Sequence, residues 1–148
     1  MLLFLLQCAL IVLAVCLAHW RGGSEEKLGS LILLTPAIVD ELYHLLIEGP
    51  VTNEVDTFHL VLDVATFAAA YWLALRADRF WPMPFASALL LAALAHLARA
   101  INLDMEELVY AIIVRAPFWL SIVILLGGIL NNAMLRIPDR CPRPPGRG

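Results

Sequence analysis

The sequence predicts an all-α integral membrane bundle of about five transmembrane helices, with the amino terminus outside and the carboxyl terminus in the cytoplasm. Three observations carry that expectation. The 148 residues are 61% hydrophobic and 16% charged, with a mean hydropathy of +0.82, whereas a soluble domain is roughly half apolar. The apolar residues fall into five runs, each at least as long as the roughly 20 residues that a helix needs to cross hydrocarbon. The basic residues concentrate in alternate connections, which sets a direction of crossing.

The first run, about residues 1–20, has no Lys or Arg ahead of it and no small-x-small site after it. It is expected to stay as a helix rather than leave as a signal peptide. The second, about residues 28–49, turns polar after Pro36, whose ring frees a backbone carbonyl that neighbouring helices must satisfy. The third covers about residues 55–75, the fourth 82–101 and the fifth 106–135, the last with Pro117 as an expected kink. Gly49-Pro50, Trp81-Pro82 and Asn102-Leu103-Asp104 punctuate these runs. Short connections make consecutive helices antiparallel neighbours. Residues 136–148 carry four arginines and four prolines. That tail is not helical and is expected on anionic cytoplasmic lipid or extended on a partner.

Direction follows from charge. Arg21 and Lys27 lie in the first connection, Arg76 and Arg79 in the third, and Arg136, Arg140, Arg143 and Arg147 in the tail; the second has none and the fourth only Arg99 at its border. The positive-inside rule assigns the rich side to the cytoplasm, and Trp20, Trp72, Phe80 and Trp81 fall at that same boundary, where amphipathic rings prefer to sit. A bacterial-type inner membrane is the expected location. The net charge of −3 argues against a nucleic-acid partner. Cys8, Cys16 and Cys141 form neither a disulfide framework nor a CxxC motif.

With direction fixed, depth follows. Asp40-Glu41-Leu42-Tyr43-His44 leads into the second connection and His59-Leu60-Val61-Leu62-Asp63 leads out of it, so the two histidines are expected at one level and the two aspartates at another. Asp56, His59, Asp63, Thr66 and Ala70 recur on one face of the third helix, as Ala37, Asp40 or Glu41, His44 and Glu48 do on the second. His96, Arg99, Tyr110 and Arg115 also fall in the outer half. Every strongly polar residue within the spans is therefore expected there, around a pocket open to the exterior. Ionisable groups in hydrocarbon are costly unless paired, so the concentration needs a reason.

Several readings compete. The first is a structural charge network in which Asp40, Glu41 and Asp63 are answered by Arg99 and Arg115, with Tyr110 completing hydrogen bonds and the whole fixing helix register. The second is a divalent metal or proton site built from His44, His59, Asp40, Asp63 and His96, since His-x-x-x-Asp and its reverse put two ligands on one helical face. Locally, His59-Leu-Val-Leu-Asp63 resembles the His-x-x-x-Asp element of the cation diffusion facilitator zinc transporters. The resemblance covers those five residues and a reversed copy at Asp40 to His44, and implies zinc ligation by His59 and Asp63. A third reading is a haem- or chlorophyll-type macrocycle on His44, His59 or His96. His19, beside Trp20, reads as interfacial.

No nucleotide motif, GxSxG, HExxH or internal repeat is present, and an enzyme is not expected. The expected function is a small accessory or structural subunit of a larger inner-membrane complex, in contact with lipid and with other membrane-protein subunits. The alternatives are a small cation- or proton-binding transporter or sensor, and a haem- or pigment-ligating subunit.

Overall fold

The computed structural model describes residues 2–46, 57–101 and 107–135; the side chains of His96, Arg99 and Tyr110 lie outside that description. Among the described residues the chain is all-helical: α1 (Leu2–Arg21), α2 (Ser24–Leu46), α3 (Thr57–Arg76), α4 (Pro82–Ile101) and α5 (Glu107–Leu135). Three stretches are long and apolar enough to cross a membrane, Ser24–Leu46, Phe58–Arg76 and Arg115–Leu135; Leu5–Arg21 and Pro82–Ala95 are shorter apolar helices. Each helix packs on its neighbour in sequence, α5 returns to α1, and α2 also touches α5. The five helices thus form a ring with α2 pressed inward.

Periodicity explains which faces meet. Ile11, Ala14 and Ala18 on α1, Phe85, Leu89 and Ala92 on α4, and Ile122, Leu125 and Ile129 on α5 are buried at three- and four-residue spacing. The opposite faces expose Leu5, Val12, Val61, Leu75, Leu91 and Val123. Such apolar outer faces suit lipid, in which packing and hydrogen bonding rather than water exclusion hold helices together.

The helices are locked at one end by a group the sequence reading passed over. Glu26 is completely buried. Its Oε2 accepts the Gly23 backbone N–H at 2.6 Å and the Asn132 Nδ2–H at 3.0 Å, and its Oε1 accepts the Trp81 indole N–H at 3.2 Å. Gly23 also accepts from the Lys27 N–H at 3.2 Å, so Glu26 sits at the third helical position and reaches back to the capping residue, half of a capping box. The cap starts α2 at Ser24 rather than near Leu28. One carboxylate thereby ties the α1–α2 turn to the start of α4 and the end of α5. The expectation that all strong polarity lies in the outer half is corrected here: Glu26 and Asn132 are buried at the other end.

Trp81 faces into the bundle: it is 9% exposed, and it packs edge-on to Phe85 with centroids 5.6 Å apart. Gly29 and Gly128 make room for it: a Cβ on Gly29 would lie 2.6 Å, and one on Gly128 2.7 Å, from indole carbons. Trp20, Trp72 and Phe80 do remain exposed, and Arg21 and Arg76 lie over the Trp20 and Trp72 rings at 4.8 and 4.4 Å.

Gly128→Ala should lower stability by about 1–3 kcal/mol, because the new methyl meets a ring with no room to move. Gly127→Ala should leave it unchanged or raise it by up to ~1 kcal/mol through helix propensity, since a Cβ there meets nothing within 4 Å. Detergent-phase unfolding of the two variants beside the wild type measures both.

Candidate metal centre at the α2–α3 end

The C-terminal end of α2 and the N-terminal end of α3 are pinned by an aromatic stack. Tyr43 and Phe58 lie face to face with centroids 3.9 Å apart and planes 8° from parallel, a contact worth roughly 0.5–1.5 kcal/mol beyond burial. On α2, Asp40 and His44 are one turn apart and share a face. On α3, His59 follows Phe58. Pinning Tyr43 to Phe58 therefore brings the next side chains of each helix together.

The result is a three-group cluster. His59 Nε2 lies 2.6 Å from Asp40 Oδ1, a short hydrogen bond between helices, and His44 Nε2 lies 3.7 Å from the same oxygen. The two imidazole centroids are 5.5 Å apart. One ligand atom from each of Asp40, His44 and His59 falls within 4.8 Å of the others. Side-chain exposure grades from 27% at His59 through 37% at Asp40 to 62% at His44.

Two nitrogens and one carboxylate are a donor set for a borderline divalent metal such as zinc, and the same set is the 2-His-1-carboxylate arrangement of ferrous sites. Bond lengths of about 2.0–2.1 Å to a tetrahedral ion place adjacent donors roughly 3.3 Å apart. Asp40 and His44 are already near that spacing. Asp40 and His59 must open by under an ångström, exchanging a hydrogen bond for two metal bonds. The set leaves a fourth position for water or a further ligand. A macrocycle needs a flat apolar slot, and the partners of these imidazoles are a carboxylate and aromatic edges.

The other expected site residues are placed differently. Glu41 is exposed. Asp63 is half-buried one turn along α3 from His59 and is not one of the three converging groups. Arg115 is exposed, and among the described residues it makes no ion pair with any carboxylate. His96, Arg99 and Tyr110, named above for the charge network or the metal, lie outside the described side chains, as Asp56 and Glu48 lie outside the described residues. His19 is exposed, its Nδ1 2.9 Å from the Val15 carbonyl.

What the sequence reading missed is the Glu26, Trp81 and Asn132 set. Its signal was present: Asn131-Asn132 interrupts an apolar run, and Glu26 follows Gly22-Gly23 at capping distance. No protein-family model, curated protein or solved structure matches this chain.

Replacing either partner of the interhelical hydrogen bond, by Asp40→Asn or His59→Ala, should cost about 1 kcal/mol, and the double variant should cost less than the sum, with coupling on the order of 0.6–1.7 kcal/mol. A double-mutant cycle on unfolding in mild detergent reads that coupling. Additive losses would mean that the two groups do not act as a pair.

Proposed function

We propose that this chain is a multi-pass membrane protein of five crossings, amino terminus outside and carboxyl terminus in the cytoplasm of a bacterial-type inner membrane, that binds a divalent transition metal through Asp40, His44 and His59. The observation carrying this is the convergence of three metal-ligating atoms from two helices within 4.8 Å. A lone histidine on a helix is common without a ligand, whereas two imidazoles sharing one carboxylate are a chelating unit. The orientation is supported by charge. Contacts of Glu26 with Gly23, Trp81 and Asn132 gather the first and third connections and the end of α5 at one end, and these are the segments next to Arg21, Lys27, Arg76, Arg79 and the arginine-rich tail. The chelating unit then lies at the exterior rim. A rim position with one open coordination site suits capture or sensing of an ion, or the entry step of transport inward past Asp63 and the buried Thr66.

One observation favours the second reading, an accessory subunit of a larger assembly. Arg115 is exposed on α5 without a described acidic partner, and a guanidinium turned outward near hydrocarbon is stabilised by an acidic group on another subunit. Purification in mild detergent as a discrete large complex supports that reading, and a small homogeneous species counts against it.

Zinc titrated calorimetrically into the purified full chain should bind at one ion per chain. His44→Ala and His59→Ala should each weaken binding by roughly 10- to 100-fold or more, while Glu41→Gln should leave it unchanged. Equal heats from wild type and His59→Ala would overturn the assignment.

A further inference from the structure

At the end of the bundle opposite the metal-ligating cluster, a cleft of about 750 Å³ opens between the α3–α4 turn and the last turns of α5. That volume lies in the range of small-molecule sites, and the proposed metal function does not use it. Its walls join two kinds of surface. Ile124, Leu135 and Pro84 supply an apolar side, while Glu25, Asp78 and Arg79 supply a charged one, with Phe80 and Trp81 between. Because Glu25 lies in the first turn of α2 and Leu135 ends α5, the cleft sits where membrane-crossing helices leave the hydrocarbon. We propose that it holds one zwitterionic, ammonium-bearing phospholipid, the headgroup on the charged side and an acyl chain along the apolar one.

Two observations besides the cavity lead there. The first is Arg79. Its Nε lies 3.9 Å from Glu25 Oε2 and 3.8 Å from Glu26 Oε1, too far for hydrogen bonds. Its donors stay available at the cleft wall, and a guanidinium fork matches a phosphodiester. The second is Gly127. Glycine within a helix costs about 1 kcal/mol relative to alanine and calls for a reason in packing or function. Gly128 has one in Trp81, but a Cβ on Gly127 would meet nothing within 4 Å. Gly127 lines the cleft, and the absent side chain keeps that wall open to a ligand.

Charge selects the headgroup. Glu25, Asp78 and the buried Glu26 set three carboxylates against the single guanidinium of Arg79, so an anionic headgroup meets net repulsion. An ammonium group beside Glu25 and Asp78 is attracted, and the exposed ring of Phe80 adds a cation–π face. A zwitterion satisfies both requirements. Lipid is the occupant most available at this depth, since every molecule at the boundary presents a headgroup and chain in this order.

The test is native mass spectrometry of the full chain, released from micelles containing equal amounts of ethanolamine-headgroup and glycerol-headgroup phospholipids with the same acyl chains. One bound phospholipid per chain is expected, the ethanolamine form favoured by about tenfold, the scale of one charge-assisted contact. Gly127→Leu should abolish the adduct while thermal unfolding stays unchanged. Glu25→Gln, at a partly buried position, combined with Asp78→Asn, at an exposed one, should retain a lipid but lose the headgroup preference, which keeps the test decisive if Gly127→Leu disturbs folding. Equal retention of the two lipids by the wild type, an undiminished adduct in a folded Gly127→Leu variant, or a co-purified protein in place of lipid would each overturn the proposal.

Discussion

A carboxylate withdrawn from water must be met by donors, and this bundle meets that demand in two ways at its two ends. At Glu26 the donors are a backbone N–H, an amide and an indole, none of which changes its charge near neutral pH. The group is completely buried, and two of its bonds, from Trp81 and Asn132, come from distant parts of the chain. At Asp40 the partners are two imidazoles, groups that exchange protons and bind metals. That cluster is half-exposed. The first arrangement has no vacant role for a ligand, because removing any donor leaves a buried charge short of a partner. The second can trade its hydrogen bond for a metal bond at little cost.

The division follows from what surrounds each carboxylate. Glu26 is fixed by the geometry of a helix start, by Trp81 wedged between Gly29 and Gly128, and by Asn132 on a buried face of α5. Shifting any of these elements moves a backbone or a ring against another. Asp40 is placed by its own hydrogen bond to His59 and by the ring contacts of Tyr43 with Phe58 and His59, all close to the half-exposed ends of two helices rather than inside the bundle. The Glu26 end is therefore the interlocked end of the bundle, and the Asp40 end the less interlocked one.

How much of this was legible in the sequence depends on the kind of signal. Helical character, and the shared faces of Asp40 with His44 and of His59 with Asp63, followed from apolar run length and from i, i+4 spacing, which are local properties of the chain; the pairing of Asp40 with His59 did not, because the histidines were expected at one level and the aspartates at another. The start of α2 at Ser24 was not, since the apolar run begins near Leu28 and only the cap formed by Gly23 and Glu26 extends the helix backward. The burial of Trp81 was missed for a related reason. Hydropathy cannot separate a tryptophan at a lipid boundary from one inside the bundle, and the two glycines that receive it lie on α2 and α5, far apart in sequence. Glu26 was not singled out, because the residues that bury it, Trp81 and Asn132, are distant in sequence.

Arg79 shows how the Glu26 end shapes its surroundings. Glu26 already has three N–H donors within hydrogen-bond distance, so its lone pairs are largely occupied and Arg79 is held near it by charge rather than by a bond, at 3.8 Å. A guanidinium held close by charge, and not hydrogen-bonded to Glu26, keeps donors free for another partner. The same interlocking that buries Glu26 and Trp81 leaves Gly127 and Asp78 on the open side of the α4–α5 contact. Stability at this end and the charge-lined cleft thus meet in one residue: Trp81 gives its indole N–H to the buried carboxylate and also lines the cleft wall.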